Sequence, residues 1–324
     1  MNHITSNVVL FLDGIIDSLS FHRTIPMLVA CKGARNVTFK VLASNTILLL
    51  GSLMIYYKGI IPTVDFMSSN SLLSSTTNNL LSHLIYLTYH ILWVIPIYII
   101  CYTSSTAWYQ ELADHVYKHV NGVPKVKGLK DAATEGTYAT LAWLMIFAQV
   151  QLFNNLTPVI SSYLKSLLTY IFASTTAEHI IFHSTHLSTH AIIDVSNYLG
   201  QFIGIFLSCA LYGWYGFDPY WIATGIDPDE RFHIMETHWA YFVGFGLPYV
   251  LLGRFTTFFV GYGIFLALFP FCIMLGCILD YNQPYKKQKE TIKPLPIYKP
   301  AKLWTLYALY WVGGKGKQVK EKSQ

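Results

Sequence analysis

Long apolar stretches separated by short polar ones make up most of the sequence. One of them, Phe255–Leu279, holds no Asp, Glu, Lys, Arg or His. As a helix it would extend about 37 Å, more than the roughly 30 Å hydrocarbon core of a bilayer. Val41–Ile61, Leu80–Tyr102, Thr137–Phe153 and Tyr198–Phe217 read as four further hydrophobic helices. Trp239–Leu252 is apolar but short for a crossing, and Pro248 interrupts it. The pattern predicts an all-α polytopic membrane protein with about six hydrophobic segments. The last two must either both cross or both dip in and return, because non-crossing segments are tolerated where protein covers their backbone.

Amphipathic stretches lie between and beside these segments. Over residues 8–30, Val8, Phe11, Leu12, Ile15, Ile16 and Leu19 recur at helical spacing, with Asp13 and Asp17 on another side. That is the pattern of a helix lying in the lipid–water interface. Trp108–Asn121 has Glu111, Asp114, His115, Lys118 and His119 on its polar side, which reads as a solvated face. Ala301–Val312 places Trp304, Tyr307, Tyr310 and Trp311 in a short aromatic helix, also read as interfacial. The predicted organisation is an amphipathic cytosolic segment (1–40), a helical transmembrane domain (41–279, with a His/Ser/Thr-rich stretch at about 161–197) and a basic cytosolic tail (280–324).

Composition supports the membrane reading. Hydrophobic residues make up 53 % and charged residues 12 %, where a soluble domain carries about a quarter charged residues. The net charge of +5 does not point to nucleic acid, since ten of the 22 Lys and Arg residues are lysines of the last 45 positions. A tail of that kind suits anionic lipid or solvent. The five cysteines include no CxxC pair and read as small hydrophobes, with no metal site. No cleavable leader is expected, because Asp13 and Asp17 break the N-terminal apolar stretch.

Lys/Arg bias orients the segments. Arg23, Lys32, Arg35 and Lys40 precede the first span and Lys118, Lys125, Lys127 and Lys130 follow the second, whereas the intervening loop has none. With the lysine tail, this predicts cytosolic N- and C-termini. The acidic stretch 218–238, with Arg231 as its lone base, is cytosolic in that arrangement, and its Asp227, Asp229 and Glu230 read as a solvated face.

Two stretches resemble a known family. ILWVIPIYIICYTSSTAWYQELADHVYKHVNG (Ile91–Gly122) joins an apolar span with internal Pro96 to an amphipathic helix opened by Trp108. THWAYFVGFGLPYVLL (Thr237–Leu252) carries Gly244, Gly246 and Pro248 and is followed by GIFLALFP, ending at Pro270. Together they are similar to the etoposide-induced protein 2.4 family of eukaryotic endoplasmic reticulum membrane proteins, and more remotely to CysZ-type sulfate permeases. The LFLDGIIDSL opening, Tyr56–Pro62 and Tyr215–Trp221 extend the resemblance over most of the chain. Residues 161–197 depart from it as an insertion.

The resemblance implies helices that penetrate only partway, and a role in autophagosome formation or maturation with links to apoptosis and growth control. It implies partners among autophagy or membrane-contact proteins besides the lipid bilayer, and leaves a homo-oligomer open. The rival it raises is a sulfate or small-anion permease, with Arg35 and Arg254 as the anion contacts. Against that, the permeases' Gly-x-Arg-Arg motif is Gly33-Ala34-Arg35-Asn36 here, with one arginine lost.

Pro96, Trp108, Gly244, Gly246, Pro248 and Pro270 are read as architectural: helix breaks and close backbone approach. Arg254, at the corner between the last two apolar segments, is read first as a headgroup anchor. Lys320 and Lys322 resemble a cytosolic dilysine signal for retrieval to the endoplasmic reticulum. His179, His183, His186 and His190 have the spacing of one helical stripe, on which neutral imidazoles can share Zn²⁺ or Cu²⁺. The STH repeats and the inserted character of the segment favour a polar or pH-sensitive luminal loop instead. No P-loop, dinucleotide fingerprint, HExxH or G-x-S-x-G elbow occurs, so neither an enzyme nor a cofactor is expected.

Overall fold

A run free of proline and glycine accounts for one of the long helices. Between Pro96 and Gly122 neither residue occurs, so nothing divides the expected span from the expected interfacial helix. The computed structural model describes residues 3–63, 66, 95–121, 129–173, 179–256, 258–282 and 294–312, and every regular element among them is helical. The helices are α1 (His3–Leu19), α2 (Thr24–Ala30), α3 (Lys32–Ile55), α4 (Ile95–Asn121), α5 (Leu129–Gln151), α6 (Thr157–Ala173) and α7 (His179–Thr224). They continue with α8 (Pro228–Thr237), α9 (Trp239–Arg254), α10 (Phe258–Asn282) and α11 (Lys299–Val312).

Several predicted boundaries are corrected. The described part of Leu80–Tyr102 and the stretch Trp108–Asn121 are one helix, α4; residues 80–94 lie outside the described set. Tyr198–Phe217 is part of the 46-residue α7. Among the described residues, one helix is long and apolar enough to cross a bilayer, Ile193–Thr224, and Gly263–Leu279 is a shorter apolar one. The described elements are thus all helical, while the expected number of about six hydrophobic segments is not confirmed by them. Helices α3 and α5 begin well inside polar sequence, at Lys32 and Leu129, which dilutes their apolar runs.

Two five-residue π-helical turns share a cause. Tyr56–Ile60 precedes Pro62, and Leu152–Leu156 precedes Pro158. A proline clashes with the carbonyl four residues back and lacks the N–H to bond it. Widening the preceding turn relieves this while the helical path continues. Helices α5 and α6 thus form a nearly continuous rod beside α7, antiparallel to it. Asn154 Nδ2 donates to Ser208 Oγ (3.1 Å), Gly200 faces Thr157, and Lys165 pairs with Asp194. At 1.5 Å per residue, α7 is about 69 Å long, roughly twice a bilayer's hydrocarbon core. Within the stretch 161–197, expected as an insertion of loop character, residues 161–173 and 179–197 are helical and lengthen these two helices.

The core sits around the C-terminal half of α7, enclosed by α9, α10, α1 and α4. Phe217, Trp221, Phe242 and Phe245 pack edge-to-face there, with Phe217 ring centroids 5.1 Å from Phe242 and 5.0 Å from Phe245. The outside carries the opposite of a soluble protein's pattern. Val8, Leu12, Ile16 and Leu19 form an exposed stripe on α1, while its neighbours Leu10, Gly14, Asp17 and Ser18 are buried. Phe39, Ile47, Phe147, Leu164, Leu199, Phe202 and Phe255 continue this exposed apolar surface on other helices.

Candidate functional site

Helices α9 and α10 form a hairpin around Arg254, and small residues set how closely it packs. A Cβ at Gly246 would collide with the Cys209 carbonyl of α7, and one at Gly244 with the Phe11 carbonyl of α1. Gly14 meets the Tyr241 carbonyl in the same way, and Gly276 of α10 meets that of Gly216. Backbone thus touches backbone at these four contacts, spread over three helix crossings, an approach that only glycine permits. Pro248 lies inside α9 and Pro270, buried, inside α10.

Helix α1 belongs to this core, which corrects its placement as a free interfacial helix. Asp17, expected on a solvated side, is 8 % exposed. Tyr241 Oη donates to its Oδ2 (3.0 Å) and Arg23 Nη1 to its Oδ1 (3.0 Å). Burial raises the Asp17 pKa, against the lowering by the tyrosine bond and by Arg23. Gly14, one turn earlier, is what lets α9 come close enough for Tyr241 to reach.

In the acidic stretch 218–238, Asp227, Asp229 and Glu230 are exposed, as the solvated-face reading expects, but its one arginine is not. Arg231, 1 % exposed, donates from Nη1 to Asp218 Oδ1 (3.2 Å) and from Nε to the Ile226 carbonyl (2.8 Å). Glu236 receives the C-terminal segment: its carbonyl accepts from Leu295 N (2.9 Å) and its Oε1 from Tyr298 N (3.1 Å). Tyr298 is wholly enclosed by Trp214 and Phe232, and its Oη donates to the Ala210 carbonyl (3.1 Å). Burial, and secondarily Glu236, pushes its phenol well above the ordinary value. Gln149 Nε2 holds the Ile297 carbonyl (3.1 Å), and Lys302 reaches Asp229 (3.5 Å) while lying over the Phe232 ring. Helix α11 then buries Ala301 and Thr305 against α5 and leaves Leu303, Trp304, Leu306 and Tyr307 exposed.

At the α3–α4 junction, Lys40 Nζ stands 4.8 Å above the Trp108 ring. The ring of His115, expected among solvated groups, covers Gly33, and the His115 carbonyl accepts weakly from Cys31 Sγ. Pro96 stands in α4. Arg35 and Arg254 are both exposed, on different helices, and no hydrogen bond or ion pair among the described residues joins them. Lys320 and Lys322 lie outside the described residues. Among the described residues no cluster of three or more His, Cys, Asp or Glu side chains forms a metal centre.

Sequence reading missed the Tyr298 anchor, the Asp17–Tyr241 bond and the Arg231–Asp218 pair. The first did leave a signal: Ile297-Tyr298 is an apolar pair set between prolines in an otherwise basic tail. The other two join residues far apart in sequence or on adjoining helices, with no spacing rule to connect them.

No family model matches the chain, and no solved structure matches it. Curated proteins do. A protein EI24 homolog of Arabidopsis thaliana is 23 % identical over 287 residues, covering 82 % of each chain. One of Dictyostelium discoideum is 23 % identical over 286 residues, covering 88 % of this chain and 78 % of its own. Ectopic P granules protein 4 of Caenorhabditis elegans is 35 % identical over 75 residues, or 23 % of this chain and 24 % of its own. Two matches at 23 % identity that run over more than four fifths of a helical chain carrying the Trp108 helix and the Gly244–Pro248 hairpin support its assignment to the EI24 (etoposide-induced 2.4) family.

Proposed function

We propose that the chain is a multipass protein of the endoplasmic reticulum membrane, with both termini cytosolic, that shapes or tethers membrane during autophagosome formation or maturation. The observation that carries the membrane part is the inverted surface. Large apolar side chains line the outside of α1, α3, α6 and α7, while Asp17, Asn45, Gln149 and Arg231 are buried. In water such a surface would drive aggregation; in lipid it is the stable arrangement. The contact between the acidic stretch and the C-terminal strap supports one shared side for that loop and the tail. The autophagy part rests on the family resemblance, and the role is organisational, not enzymatic. Its partners are the bilayer and proteins of the autophagy or membrane-contact machinery.

A permease for sulfate or another small anion is the weaker reading, since Arg35 and Arg254 do not converge on one site. The test is loss of the protein in cells, read by autophagic flux and by carbonate extraction of the endogenous chain. Stalled autophagosomes with normal initiation, and a chain that stays in the membrane pellet, are expected. Unchanged flux overturns the autophagy role, and extraction into the supernatant overturns the membrane one.

A further inference from the structure

The histidines of the 161–197 stretch have no part in the role proposed above. Their spacing suits shared metal ligation only where the segment is a helix and not a loop. Helix α7 begins at His179 and runs unbroken through His190. At 100° per residue, positions 179, 183, 186 and 190 fall within an arc of about 60° on one face of that helix. The neighbouring carboxylate Asp194 is committed to Lys165 of α6. Residues 166–173 of α6 contain no His, Cys, Asp or Glu, so α6 adds no further ligand opposite the stripe over that stretch.

We propose that His179–His190 is a binding site for divalent transition metal, built as two bis-imidazole sites, His179/His183 and His186/His190. One ion cannot take all four: the positions span about 16 Å along the axis, whereas zinc–nitrogen bonds are about 2 Å. Each i, i+4 pair is one turn apart, the separation that lets two imidazoles on a helix hold one ion. Imidazole nitrogen suits Zn²⁺, Cu²⁺ and Ni²⁺ and excludes Mg²⁺ and Ca²⁺, which take oxygen ligands. Water completes each coordination sphere. A bound ion bridges successive turns and pins the first three turns of α7 as helix.

The test uses the full chain in detergent, purified without a histidine tag and dialysed to equilibrium against micromolar Zn²⁺, with bound metal measured by elemental analysis. The wild type should take up two more ions per chain than a variant with His179, His183, His186 and His190 all changed to alanine. The single variant His183→Asn should lose one of the two. A four-substitution variant (His183→Ser, Ser184→His, Thr185→His, His186→Thr) keeps the composition but leaves no histidines three or four apart in the stretch, so it should lose both. Binding equal to wild type in that variant, or no excess of wild type over the alanine variant, overturns the proposal.

Discussion

Gly246 of α9 lies against the Cys209 carbonyl of α7 with no room for a methyl group between them. The contact is backbone against backbone, so neither side can yield by rotating a side chain. Gly246→Ala should destabilise the fold by about 1–3 kcal/mol, the usual cost of overpacking a close-packed interior. Gly51 of α3 meets nothing within 4 Å. Gly51→Ala should be neutral or stabilise by about 0.5–1 kcal/mol through the better helix former. Thermal unfolding of the two variants in one detergent checks both signs, and equal midpoints would show that the hairpin is loosely packed.

Tyr298 is the anchor of the C-terminal strap. Tyr298→Phe keeps the ring between Trp214 and Phe232 but loses the bond to Ala210, a loss of about 1 kcal/mol. Tyr298→Ala should cost about 3–5 kcal/mol, by analogy with other large aromatic truncations. Because the strap is held chiefly by this side chain and by Glu236, the alanine variant should also be cut faster by trypsin at Lys302, since Pro300 blocks cleavage after Lys299. Trypsin resistance equal to wild type would mean that α11 holds the segment without the tyrosine.

The all-helical class was legible in the sequence, because uninterrupted apolar runs and the placing of proline and glycine fix local backbone. The close approach at Gly244 and Gly246 has the same local origin, small residues two positions apart that face opposite sides of the helix, one towards α1 and the other towards α7. Helix ends were read less well. Solubility changes sharply between Tyr102 and Trp108, yet no helix breaker stands there, and α4 runs through. Asp17 reads as the polar side of an interfacial helix and Arg231 as the lone base of an acidic loop, and neither pattern reveals that the residue is buried. What permits that burial is a partner supplied by tertiary structure, Tyr241 for one and Asp218 for the other.

Arg231 tests how far such a partner matters. Arg231→Leu removes the guanidinium from an enclosed site and leaves Asp218 and the Ile226 carbonyl without it. Breaking a buried pair from one side costs about 3–5 kcal/mol. Asp218→Asn should cost less, since Arg231 keeps its bond to Ile226 and the amide oxygen still accepts. Arg231→Lys should not restore stability, because one ammonium cannot reproduce two directed N–H bonds from Nε and Nη1. Denaturant midpoints of the three variants give the order Asp218→Asn, Arg231→Lys, Arg231→Leu from most to least stable; lysine equal to arginine would reduce the contact to charge alone.

Asp17 should make stability fall as pH rises. Its carboxyl pKa is raised from 3.8 on folding, chiefly by burial, so the folded state favours the protonated form. The contribution is fully present below that ordinary value and is lost as pH climbs through the folded pKa. Asp17→Asn cannot ionise, and its amide oxygen can still accept from Tyr241, although the ion pair with the partly exposed Arg23 is gone. Relative to wild type, the asparagine variant should therefore gain in unfolding midpoint as pH is raised from about 4 towards neutrality, levelling off once Asp17 is fully ionised. Midpoints of both proteins across that range decide the sign. A difference that moves the other way would mean that Arg23 and Tyr241 outweigh burial and hold the carboxylate charged.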